Sequence, residues 1–105
     1  MSTYCITFRI AEKTVGAATY ADRRQSLINA VHCDNGYWEE STSFILATSD
    51  LDTQSFAKLA AKGLSQADDK LVVFDPSDMS LAYFGDIRHP DALSSFFNIA
   101  LEVGQ

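Results

Sequence analysis

Two short runs, residues 42–48 (TSFILAT) and residues 70–74 (KLVVF), are apolar on both sides of a strand's two-residue alternation. Successive side chains of a strand point to opposite faces, so runs of this kind have no solvent side and belong in the middle of a covered sheet. In the first, Phe44 and Leu46 stand against Ile45; in the second, Leu71 and Val73 stand against Val72 and Phe74. A sheet apolar on both faces needs two covers, and either the rest of the chain or a second molecule has to supply them.

The flanking segments read as follows. Tyr4, Ile6, Phe8 and Ile10 alternate with Cys5, Thr7 and Arg9, which predicts a half-buried first strand. Residues 11–19 contain Gly16 and several polar residues and read as a loop. Over residues 20–33 the period lengthens: Tyr20, Arg24, Leu27, Ile28 and Val31 share a helical stripe, with Asp22, Arg23, Ser26 and Asn29 mostly opposite. Asp34-Asn35-Gly36 ends this helix, and a short extended piece, residues 37–40, precedes the first central strand. Asp52 is an N-cap candidate, with Asp50 favouring the helix dipole, for a helix carrying Phe56, Leu59, Ala60, Gly63 and Leu64. Asp75-Pro76-Ser77-Asp78 is a turn signal between residues 70–74 and a hairpin partner, residues 80–84, closed by Gly85. Pro90 is placed to start a last helix with His89 as its cap, and Leu93, Phe96, Phe97, Ala100 and Leu101 repeat at helical spacing.

The order βαββαββα begins with the ferredoxin-like βαββαβ pattern. The expectation is a single α+β domain over residues 1–105: a ferredoxin-like sandwich with an extra C-terminal strand and a terminal helix. Right-handed crossovers put the first two helices on one face of the sheet. The other face then needs the last helix or a second subunit, and pairing through this open face into a homodimer is expected, since small ferredoxin-like domains commonly pair.

Composition narrows the function. The 105 residues suffice for a core without staples, and 14 acidic against 8 basic residues leave a net charge of −6. That surplus disfavours broad binding to nucleic acid, and it leaves a protein partner possible. No signal peptide or long apolar span is visible, and Cys5 and Cys33 lack metal-ligand spacing, so a cytoplasmic protein with free thiols is expected.

A strand ending F-R-I, a helix with paired arginines (Arg23, Arg24), an aromatic-rich W-x-x-x-T-S-F-I-L strand and a D-D-K-L-V-V-F strand follow one another. Over residues 3 to 85 this resembles the CRISPR-associated adaptation protein Two superfamily, which includes the VapD-type toxins, and the whole chain resembles the short bacterial proteins labelled SinR-like. The resemblance implies a nuclease ancestry in which an aspartate near the end of the first strand, one per subunit, holds a divalent metal. Here the matching tripeptide is Phe8-Arg9-Ile10. Arginine has no acceptor for a metal and its fixed charge repels Mg²⁺, so the metal site is read as lost, with no cofactor and no catalytic residue assigned. Glu12 is the acid an active nuclease would recruit instead, with Mg²⁺ as its ion.

The remaining candidates are constellations. Arg9, Arg23 and Arg24, with Arg9 on the open face, form a candidate anion or partner-binding group, because guanidinium takes phosphate or carboxylate bidentately. The plainer role is an ion pair of Arg9 with Glu12 or with an acid across a dimer, and packing of the Arg24 stem. Trp38, with Tyr37, Glu39 and Glu40, is a candidate recognition surface or an ordinary strand edge. Asp68 and Asp69 are separated by a whole strand from Asp75 and Asp78, too far for a common metal. His32 and His89 lack the neighbours of a triad, and His32 next to Cys33 points away from it. Three functions follow: a non-catalytic homodimeric interaction module, a metal-dependent endonuclease, and a sensor of a small anionic ligand or nucleotide.

Overall fold

Six strands form one mixed sheet in the order β2-β3-β1-β4-β5-β6, in a computed structural model that describes residues 1–34, 36–40 and 42–104. The elements are β1 (Ser2–Arg9), α1 (Tyr20–Val31), β2 (Tyr37–Trp38), β3 (Phe44–Ser49), α2 (Thr53–Ala61), β4 (Lys70–Asp75), β5 (Ser80–Phe84), α3 (Pro90–Ser94) and β6 (Ile99–Glu102). Every neighbouring pair is antiparallel except β5 and β6. Asn35, part of the expected helix stop, lies outside the described residues.

The register sorts each strand by face. Ile6 sits between Ile45 and Val73, and Phe8 pairs with Leu71; all are buried with Tyr4 on the inner face. The helices α1 and α2 cover this face through Leu27, Val31, Phe56, Ala57 and Ala60, with Leu64 added from the turn after α2, which ends at Ala61 before the Gly63 and Leu64 expected on it. The Tyr4 ring stacks on Phe56 at 4.5 Å, and its hydroxyl donates to the Leu51 carbonyl at 2.6 Å. Both helices begin on the caps their sequences supply. Thr19 and Asp22 form a reciprocal capping box, and Asp52 accepts from the Ser55 amide. Gly63 lets the end of α2 approach α1, since a Cβ there would meet the Ser26 side chain.

Residues 90–102 differ from the helix that their spacing predicts. The helix α3 stops at Ser94, and β6 pairs in parallel with β5. His89 adopts φ 55°, ψ 55° and makes no side-chain cap. The physical reason is the free edge of β5: unpaired backbone groups of an edge strand gain a full ladder from residues 99–102, which a helix would not give them. Right-handedness also decides where α3 goes. β5 runs in the direction of β1, but β6 lies to its opposite side from that taken by β2, so a right-handed crossover places α3 on the outer face. The ring of Phe97, 5.4 Å from that of outward-facing Phe74, agrees. Among the described residues no helix is long and apolar enough to cross a membrane.

Candidate functional site

The outer face is the surface that α1 and α2 leave uncovered, and its side chains form rows across the strands. One row runs Trp38, Leu46, Cys5, Phe74, Leu81 and Ala100; the next runs Phe44, Thr7, Val72, Tyr83 and Glu102. The two halves of this face differ. Beneath the α3–β6 segment Leu81 is 1% exposed, whereas at the other end Trp38 is 43% exposed and meets Phe44 edge-on at 6.4 Å. Phe44, Leu46, Val72 and Cys5 between them are only half-buried. Burial, and secondarily the negative charge of Asp75, push the Cys5 thiol above its usual range, so it is a poor nucleophile.

At the foot of this open half, Arg9 on β1 lies directly opposite Lys70 on β4, both directed outward. Neither side chain has a hydrogen-bond or ion-pair partner among the described residues. Glu12 is exposed in the loop after β1 and does not pair with Arg9. An open groove of ≈ 620 Å³ at this end is lined by Arg9, Glu12, Tyr20, Thr42 and Ser43, with Phe8 below.

One of the two helix arginines departs from its expected place. Arg23, expected on the outer side of the helix, is buried at 2% exposed, and Arg24 is half-buried. Arg23 donates from Nε to Asp69 at 2.9 Å and reaches the carbonyls of Ala11, Lys13 and Ala18 at 2.7–2.9 Å. Asp69, fully buried, also accepts from the amides of Ala11 and Ser65. This network ties the loop after β1 to α1 and to the entry of β4. Gly85, at φ 92°, lets β5 end against it, because a Cβ there would strike the Asp69 carbonyl oxygen. Every donor of Arg23 is used internally, so it is a structural hub with nothing left for a ligand. Arg24 pairs with Glu39 at 2.6 Å and lies over the Phe8 ring. Burial, followed by the Glu39 charge, raises the neighbouring Tyr37 hydroxyl above its ordinary range.

The other candidates are spread apart. Asp68 pairs with Lys13, Asp75 caps the Ser77 amide, and Asp78 accepts from Ser80. The His32 ring leans on Tyr37. No group of three or more metal-ligating side chains occurs among the described residues. Sequence reasoning missed Lys70 and Asp69 as participants. Lys70 sits at the first position of KLVVF, where alternation already assigns it to the face of Val72 and Phe74; the Arg23–Asp69 pairing joins residues too far apart in sequence to leave a local signal. Comparison with family models, curated proteins and solved structures yields no match.

Proposed function

We propose that this chain is a non-catalytic interaction protein that pairs with a second copy through the open half of its outer sheet face. The observation that carries this is the half-face itself: Trp38, Phe44, Leu46 and Val72 remain partly in water while the same strands are sealed on the inner side. Apolar patches of this kind, centred on a tryptophan, mark interaction surfaces. In this reading β2-β3-β1-β4 with α1 and α2 is a ferredoxin-like unit that β5, α3 and β6 extend, within a divergent branch of the CRISPR adaptation and VapD-type superfamily. Arg9 supports a lost metal site, since it stands where such nucleases hold an aspartate and projects a fixed positive charge. The free thiols of Cys5 and Cys33 fit a cytoplasmic setting.

Two measurements test the proposal. Sedimentation or light scattering gives the solution mass, expected to be twice that of the chain. Incubation with single-stranded RNA and duplex DNA in Mg²⁺ or Mn²⁺ is expected to leave both intact. Cleavage that survives purification and is abolished by EDTA and by Glu12→Ala establishes the endonuclease instead. The unneutralised pair Arg9 and Lys70 favours one second reading, a small anionic ligand or nucleotide held on this face. A thermal-shift panel of nucleotides separates it, because a ligand at a hundredfold its Kd adds about 2.7 kcal/mol of stability.

A further inference from the structure

The open half-face carries two cations that have no ion-pair partner among the described residues, in a chain that has acids to spare. Like charges directly opposite on adjacent strands destabilise the pairing, yet Arg9 and Lys70 are so placed, with 14 acidic residues elsewhere in the sequence. An exposed acid stands one two-residue repeat from the mirrored place. Counting from β3, β1 lies one strand to one side and β2 one strand to the other. Trp38 faces outward opposite Leu46, and Glu39 turns inward to Arg24. Continued alternation returns Glu40 to the outer side, level with Phe44. Glu40 is exposed and its carboxylate has no partner among the described residues.

We infer that two copies pack the β2-β3-β1 part of these half-faces about a two-fold axis running along β3, with Glu40 of each copy paired to Arg9 of the other. The inference rests on the homodimer proposed above and specifies its geometry. A two-fold contact requires one patch to be complementary to itself. With the axis over β3, Phe44 and Leu46 each meet their own symmetry mates, and Trp38 covers the half-buried Cys5, one strand beyond the axis in the same row. The α3–β6 segment, which seals Leu81, lies on the far side of β1 and stays clear of the contact. Glu40 is offset from Arg9 by one two-residue repeat, about 7 Å along the strand, which the two long side chains bridge. No axis is needed through the covered half, and the charge that the chain withholds from Arg9 comes from its copy.

Sedimentation equilibrium on the full chain at low salt tests this. Arg9→Glu and Glu40→Arg each weaken the dimer by about tenfold, since each sets like charges together, and the combined exchange R9E/E40R recovers most of the loss. Circular dichroism checks that the fold is kept; if a reversal unfolds the chain, Arg9→Gln and Glu40→Gln give the same pattern with smaller losses. A wild-type chain that stays monomeric at millimolar concentration overturns the homodimer and this geometry together. A wild-type dimer that neither reversal weakens, or in which the exchange does no better than the single changes, overturns the axis over β3 and leaves the homodimer standing.

Discussion

The two faces of one sheet, built from the same strands, reach opposite states. On the inner face two helices seal Tyr4, Ile6, Ile45, Leu71 and Val73, and even the charged pair Arg23–Asp69 is buried with its donors satisfied. On the outer face Leu81 is buried and Phe97 packs on Phe74, but Trp38, Phe44 and Leu46 stay in reach of solvent. Both faces are comparably apolar along β3 and β4, so apolarity does not decide closure. Crossover connections do: the two long ones bring helices of 12 and 9 residues to the inner face, and the third brings only 5 helical residues to the outer one.

The largest expected effect breaks the inner face. Asp69→Ala leaves the Arg23 guanidinium buried without its carboxylate and is expected to cost about 3–5 kcal/mol in urea unfolding. A loss under about 1 kcal/mol shows that water reaches Arg23. Next comes a contrast on the outer face itself. Leu81→Ala, under the α3–β6 cover, is expected to cost about 2–5 kcal/mol in the same measurement. Leu46→Ala in the open half costs less when measured on monomer and weakens dimerisation instead. Equal costs at both positions would show that the two halves do not differ.

A smaller effect belongs to the edge of the inner layer. Thr19→Ala removes one half of the capping box of α1 and is expected to lower stability by about 1 kcal/mol, read as a fall in melting temperature. The last prediction is in pH. Backbone and side-chain hydrogen bonds from Ser55 hold the Asp52 carboxyl below its ordinary range, and those from Thr19 do the same for Asp22. The ammonium of Lys13, followed by the Ser65 hydroxyl, depresses Asp68. A carboxyl depressed on folding contributes stability above its unfolded pKa, and that contribution is lost as pH falls through the folded value. Thermal unfolding is therefore expected to be level from neutrality down to the ordinary carboxylate range near pH 4 and to weaken below it. Asp52→Asn keeps a capping oxygen but cannot titrate, so it should flatten that acid slope. An unchanged slope would remove Asp52 from the account.

Much of the fold was legible because strand and helix periods are local. The run at 70–74 and the N-cap Asp52 appear as read, while the first strand ends at Arg9, one residue short of the alternation in 4–10, and the run at 42–48 becomes strand only from Phe44. Arg23 of α1 was misplaced for a specific reason. Hydropathy patterning does not say which of two adjacent arginines faces the core, and Arg24 fits a broad stripe with Leu27 and Ile28. The buried row is Arg23, Leu27 and Val31, at four-residue steps, and it admits an arginine because Asp69 waits there. At the C-terminus, Leu93, Phe96, Phe97, Ala100 and Leu101 satisfy a helical period, but the free edge of β5 exerts the stronger demand. That edge exists only once β4 and β5 have paired.

By itself the amino-acid sequence determined a sheet with apolar central strands on both sides, two amphipathic helices for one cover, and an arginine, Arg9, at the end of the first strand. These are properties of neighbouring residues, set by the direction in which successive side chains point. Only the tertiary structure decided that Arg23 is core, that residues 99–102 form a strand, and that Arg9 and Lys70 stand opposite each other with no ion-pair partner among the described residues. Each of these depends on which distant segments become neighbours, because pairing across strands and burial of charge are settled by partners that the local sequence does not contain.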